Sequence, residues 1–231
     1  MKFTEGMWQV KEGVEMSWMG NVERTSITDD ACELLLTKPM HGRGDKLNTP
    51  TITARLTRPS EGIIAAKFTH WAGAEDAGPK FPLLTESSTS PSPTETNGNL
   101  SIHSDPLALN VNTSPNSLSF SYSSSSKRLT GHSIRSIGLV ASRDTPKYNL
   151  HDGIYAERQH YILLELDLSV NEKIYGLGER FGPFVKNGQS VDIWNEDGGT
   201  SSELTYKNIP FFMSSRGYGV FINVSVLLVC Q

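Results

Sequence analysis

Apolar residues recur at every second position through much of this chain. Val14-Glu15-Met16-Ser17-Trp18, Cys32-Glu33-Leu34-Leu35-Leu36 and Thr51-Ile52-Thr53-Ala54-Arg55-Leu56 show the pattern, which is the period of a strand with one buried face. Ile63-Ile64-Ala65-Ala66-Lys67-Phe68-Thr69-His70-Trp71 adds another run. Tyr161-Ile162-Leu163-Leu164-Glu165-Leu166-Asp167-Leu168 reads as a strong strand whose two acids face solvent. Gly, Pro, Asn and Asp separate the runs, and no segment carries a convincing helical period. Short strands between turn residues predict an all-β, antiparallel β-sandwich.

The pattern breaks between Thr85 and Ser126. Thr85-Glu86-Ser87-Ser88-Thr89-Ser90-Pro91-Ser92-Pro93-Thr94 is polar, Pro-broken and has nothing to bury. This composition predicts a flexible Ser/Thr/Pro-rich insertion at about 85–126, inside one domain rather than between two. Leu107-Ala108-Leu109-Asn110-Val111-Asn112 and Leu118-Ser119-Phe120-Ser121-Tyr122 alternate within it, as a hairpin would. At 231 residues the chain suits a single sandwich domain, 1–231, since such domains run to about 200–250 residues.

Candidate chemistry is densest from Ile174 to Asn223. Tyr175-Gly176-Leu177-Gly178-Glu179-Arg180 sets two glycines beside a carboxylate and a guanidinium. Glycine allows close backbone approach, so a ligand or a neighbouring domain is expected near this turn. An ion pair of Glu179 with Arg180 is the simpler account. Asp192-Ile193-Trp194-Asn195-Glu196-Asp197-Gly198-Gly199-Thr200 follows, an aromatic and acids ahead of a Gly-Gly turn. Ile209–Met213 and Gly217–Ile222 then read as two short apolar strands, joined through Ser214-Ser215-Arg216-Gly217.

The wording YGLGERF, WNEDGGTSSE and YKNIPFFMSSRGYGVFIN, in that order and spacing, resembles the end of the N-terminal β-sandwich of glycoside hydrolase family 31, most of all its α-xylosidases. Phe68-Thr69-His70-Trp71 and Gly78-Pro79-Lys80-Phe81 extend the likeness. The resemblance implies a galactose mutarotase-like fold packed on a (β/α)8 barrel that carries both catalytic carboxylates. It implies hydrolysis of α-linked xylosyl or glucosyl residues with retention, an α-linked oligosaccharide as partner, and the catalytic barrel domain as the other. No barrel sequence lies within the 231 residues, so no catalytic residue is expected here and the chain alone is expected to be inactive.

The expected role is carbohydrate binding, through a loop around Trp194 to Thr200. Asp197, Trp194 and Glu196 are its candidate substrate-binding residues. A carboxylate accepts hydrogen bonds from sugar hydroxyls and an indole stacks on the C–H face of the ring. The plain alternative has Asp197 opening a Gly turn and Trp194 in the core. The final run, Val224–Gln231, departs from the family pattern. The expectation is a reading frame that ends early, with a truncated non-functional product or a free-standing sugar-binding module as alternatives.

A net charge of −4 and a pI near 5.9 argue against nucleic-acid or anionic-membrane partners. The N-terminus lacks the apolar core of a secretory signal, which points to the cytoplasm and to unused sequons at Asn99, Asn112 and Asn223. The terminal apolar run is too short to span a bilayer, which takes about 20 residues. Cys32 and Cys230 are the only cysteines, giving neither a disulfide framework nor a thiolate metal site. The histidines lack zinc-site spacing, so neither metal nor cofactor is expected. Arg43-Gly44-Asp45 is read as a turn.

Overall fold

A computed structural model describes residues 3–5, 9–70, 92–142, 147–149, 153–155, 159–195, 205–223 and 228–230. The chain forms two compact units. One comprises Lys2–Gly73 with Leu84–Asp167, and the other Met1, Ala74–Leu83 and Leu168–Gln231.

In the larger unit, β1 (Thr4–Glu5) pairs with β2 (Gln9–Val10), and β3 (Val14–Trp18) follows. β4 (Asn21–Ile27), β5 (Ala31–Thr37), β6 (Thr51–Ser60) and β7 (Ile63–Thr69) make a four-stranded antiparallel sheet in sequential order. β8 (Thr94–Thr96), β9 (Asn99–Ser104), β10 (Leu107–Asn112), β11 (Ser119–Ser124) and β12 (Lys127–His132) make a five-stranded meander. β13 (Ile137–Ser142) lies between β3 and β16 (Gln159–Leu164), and the hairpin β14 (Lys147–Asn149) with β15 (Gly153–Tyr155) falls between β13 and β16 in sequence.

Alternation sends one face of each strand inward. Cys32, Leu34 and Leu36 of β5 and Ile52, Ala54 and Leu56 of β6 meet Leu100 and Ile102 of β9, Leu109 and Val111 of β10, and Phe120 of β11 in one apolar core. Ile137 and Leu139 of β13 complete it. Arg55 and Glu33 sit opposite each other on the outer face, 2.8 Å apart. Cys32 is a core residue: burial, then Glu95 and Glu33, push its thiol up to about 12. It stays protonated and unreactive at neutral pH.

His132 is a buried polar residue at the end of β12. Its ring meets Phe120 edge-on at 5.4 Å and lies 6.0 Å from Phe68 and 6.2 Å from Tyr122. Its Nδ1 donates to the Glu165 carbonyl at 2.6 Å, because that oxygen can only accept. Burial holds its pKa below the ordinary value, against the Glu165 hydrogen bond and the Asp167 charge.

Two sequence expectations change here, and the turn read at Arg43-Gly44-Asp45 is found. Most of the Ser/Thr/Pro-rich stretch at 85–126 that lies among the described residues is strand, β8 to β11, and supplies Leu100, Ile102, Leu109, Val111 and Phe120 to the core. Most of its polar residues face outward, Ser104 being buried, and the two alternating runs pair as the expected hairpin, β10 with β11. The strand expected to run to Leu168 ends at Leu164. Beyond it Glu165 faces solvent, whereas the half-buried Asp167 carboxylate accepts from Arg128 and, at 2.9 Å, from Ser133. Arg43–Lys46 is a single 3-10 turn, and the Asp45 carboxylate accepts from the His41 and Gly42 amides at 2.8 and 2.9 Å.

Candidate functional site

The smaller unit carries the motif-rich stretch. β17 (Ile174–Gly176), β19 (Phe211–Ser214) and β20 (Gly219–Phe221) form an antiparallel sheet in the order β17-β19-β20, and β18 (Val191–Ile193) pairs with β21 (Leu228–Cys230). The two apolar strands read from the sequence are thus β19 and β20, with Gly217 at φ +85° in their turn.

The glycine turn is shaped by the chain itself. Gly176, Leu177 and Gly178 all have positive φ, at +114°, +68° and +90°. A Cβ on Gly176 would stand 2.6 Å from the Phe211 oxygen, and one on Gly178 would stand 2.3 Å from the Lys207 oxygen. The backbone lies this close because the Leu177 amide donates to Phe211 at 2.9 Å and the Glu179 amide to Lys207 at 3.1 Å. The expected close approach is real, and the approaching group is residues 207–211 rather than a ligand.

The two charges beside this turn do not need each other. Glu179 pairs with Lys207 at 2.8 Å, both well exposed. Arg180 donates from Nε to the Leu177 oxygen at 3.2 Å and from Nη2 to the Asp192 oxygen and to Asn208 Oδ1. Its charge strengthens these bonds. Arg180 thereby ties the glycine turn to β18 and to Asn208.

Asn208 is the hub. Its Nδ2 lies within hydrogen-bond reach of the main-chain oxygens of Trp194 (2.7 Å) and Thr205 (2.7 Å) and of Asn195 Oδ1 (3.0 Å). Its amide also donates to Asn195 Oδ1, at 3.2 Å. Asn195 and Thr205 form a parallel bridge. Both stems of the segment 196–204 are therefore closed together at their base. Sequence reading missed Asn208, which carries no chemical signature by itself.

Trp194 sits at this base and is 56% exposed, so it is not a core residue. The other two sequence-derived candidates, Glu196 and Asp197, lie outside the described residues. Phe181, Phe184 and Tyr206 of the same unit are also exposed, and a shallow cleft beside Arg180 is lined by Phe181, Lys186, Gln189 and Val191.

A second acid had no sequence signal. Glu172 is 4% exposed, and its Oε1 accepts from Tyr218 at 2.7 Å and from the Ser214 hydroxyl, while Oε2 accepts from the Ser169 amide at 2.8 Å. Desolvation pushes its carboxyl up, but Ser214, Tyr218, Ser169 and the Arg216 charge together outweigh it and hold it below the ordinary range. Held by these three donors, the carboxylate braces the β19–β20 turn.

Residues 53–226 match the family model described as the glycosyl hydrolase 31 N-terminal galactose mutarotase-like domain. The chain belongs to that family. Members bind carbohydrate substrates and carry a catalytic domain. Over 96% of its length the chain is 57% identical to an α-xylosidase of Emericella nidulans, and over 97% it is 34% identical to α-xylosidase XylQ of Lactiplantibacillus pentosus. It spans 29% and 28% of the lengths of these relatives. A cycloalternan-forming enzyme of Listeria monocytogenes superposes with a TM-score of 0.64 at 15% identity, covering 91% of this chain and 18% of that one. That likeness speaks for the fold, an all-β galactose mutarotase-like sandwich.

Proposed function

We propose that this chain is the carbohydrate-binding N-terminal part of a family 31 α-glycosidase that hydrolyses α-linked xylosyl residues with retention. One observation carries the role assigned to the loop: an exposed indole, Trp194, stands on a stem locked by Asn208 and Arg180. An aromatic face held rigidly at the surface suits stacking on a sugar ring. In this reading Glu196 and Asp197, next in sequence, accept hydrogen bonds from sugar hydroxyls. The similarity to two α-xylosidases favours xylosyl over glucosyl substrates.

Retention needs two carboxyl groups about 5–5.5 Å apart, one as nucleophile and one as acid/base. Among the described acids of this unit, Glu172 is buried and held by Ser169, Ser214 and Tyr218, Glu179 is engaged by Lys207, and Asp192 is exposed on β18. The catalytic pair is assigned to the barrel domain, with this chain shaping the sugar subsite. The rival reading, a free-standing sugar-binding module, draws on the same exposed indole. Calorimetry of the chain alone with xylose and isoprimeverose, beside an aryl α-xyloside assay, separates the two. Our reading predicts no turnover and no affinity tighter than millimolar without the barrel. Micromolar binding that Trp194→Ala abolishes would favour the module.

A further inference from the structure

We propose that His70 and His160 form a two-histidine site for a borderline divalent transition-metal ion such as Cu2+, Ni2+ or Zn2+. Both residues belong to the larger unit. Their rings lie 5.5 Å apart between centroids, with planes inclined at 36°. His70 directly follows β7 and is half-buried, and His160 is the second residue of β16 and is exposed.

The strand register explains why the rings meet. His160 lies opposite Ala141 of β13, and Ala141 lies opposite Glu15 of β3, so the three share one face of their sheet. Leu139 and Ile162 are on that face, and they belong to or pack against the core. His70 continues the inward alternation of Ala66 and Phe68, which pack on the same core. The imidazoles therefore come together at the rim of the sandwich, where the small side chain of Ala141 leaves room.

The chemistry of the pair suits a cation. His70 Nδ1 is 2.8 Å from the Thr51 carbonyl oxygen, which can only accept, so Nδ1 carries the proton. In the neutral ring Nε2 then keeps its lone pair. A backbone carbonyl holding one ring nitrogen so that the other can ligate is the usual support of a metal-binding histidine. Imidazole nitrogens bind such ions at about 2.0–2.1 Å, which sets two rings sharing an ion about 4.5 Å apart between centroids at a right angle, about 5.2 Å at a tetrahedral angle and about 6.4 Å in line. The pair lies within this range, and His160, at the surface, can turn its ring towards a shared ion.

Glu15 lies about 10 Å from His160 along the ladder, two strand spacings away, and adds negative potential on the same face. Among the described residues no group of three or more His, Cys, Asp and Glu side chains gathers for a metal. Water would fill the remaining positions, leaving an open site of modest affinity that imidazole donors bias towards Cu2+, Ni2+ and Zn2+ over Mg2+ and Ca2+.

The test uses the tag-free chain stripped with a chelator and titrated with Ni2+ in a calorimeter. Beside it stand His160→Ala, His70→Gln and a control, His103→Ala, which removes an exposed imidazole of β9. The wild type and the control should bind with equal affinity, and His160→Ala and His70→Gln should weaken the tightest site at least tenfold. Cu2+ spectra should show nitrogen splitting from two imidazoles in the wild type and from one in His160→Ala. If His70→Gln unfolds, His160→Ala still decides, since its site is exposed. Ni2+ affinity unchanged in His160→Ala, or no uptake by the wild type, overturns the proposal.

Discussion

Asn208 donates its side-chain amide to the main-chain oxygen of Trp194 at 2.7 Å. The same group reaches Thr205 and Asn195, so one half-buried side chain holds both ends of the segment 196–204. Asn208→Ala should cost about 1–3 kcal/mol by leaving these acceptors unmatched. Urea titration should show the lower midpoint, and limited proteolysis should show faster cleavage within 196–204.

Two glycines of similar φ should respond very differently to alanine. Gly178, at φ +90°, faces the Lys207 oxygen at 2.3 Å, whereas Gly188, at φ +71°, has nothing within 4 Å of an added Cβ. Gly188→Ala should cost only the backbone term, about 1–2 kcal/mol. Gly178→Ala adds a backbone clash and should exceed about 4 kcal/mol. Equal urea midpoints for the two variants would contradict the account of the turn.

Glu172 makes stability depend on acid. Its folded pKa lies below the ordinary 4.5, so the unfolded state takes up the proton first as pH falls. Its contribution is full above pH 4.5 and is lost as pH falls through the folded value. Glu172→Gln should be less stable at pH 7, by about 1–3 kcal/mol, and should show a flatter decline below pH 4.5 than the wild type in melts run at several pH values.

His132 acts in a higher window. Its folded pKa is held below 6.5 by burial, so protons again bind the unfolded chain first. Stability should be full above pH 6.5 and fall as pH drops from there towards the folded value. His132→Phe should remove this slope below pH 6.5, even though the lost bond to Glu165 lowers stability at pH 7. Urea midpoints measured across that range would report it.

Much of the sandwich was legible because burial on one face writes itself as alternation, as in Cys32 to Leu36 and Ile52 to Leu56. The meander was half hidden. Asn97-Gly98, at φ +51° and +74° between β8 and β9, is a readable hairpin turn. Ser125-Ser126 adopts similar angles, +47° and +68°, between β11 and β12, where serine gives no cue, and the surrounding serines looked like disorder. At the candidate site, Trp194 was legible as an aromatic beside acids. The partners of Glu179 and Arg180 were not, because Lys207 and Asn208 lie 28 residues on in each case and are set by the β17–β19 register. Glu172 was equally hidden, since its donors Ser214 and Tyr218 lie 42 and 46 residues on, around the β19–β20 turn.

In the proposed function this chain shapes the sugar subsite of an α-xylosidase. The most direct measurement replaces the matching N-terminal part of the fungal α-xylosidase with this chain and compares kcat and KM for an α-xyloside with those of its Trp194→Ala form. The account predicts an active chimera whose KM rises at least tenfold on loss of the indole, with the fold intact by circular dichroism. A folded chimera that is active with the same KM and kcat in both forms would contradict it.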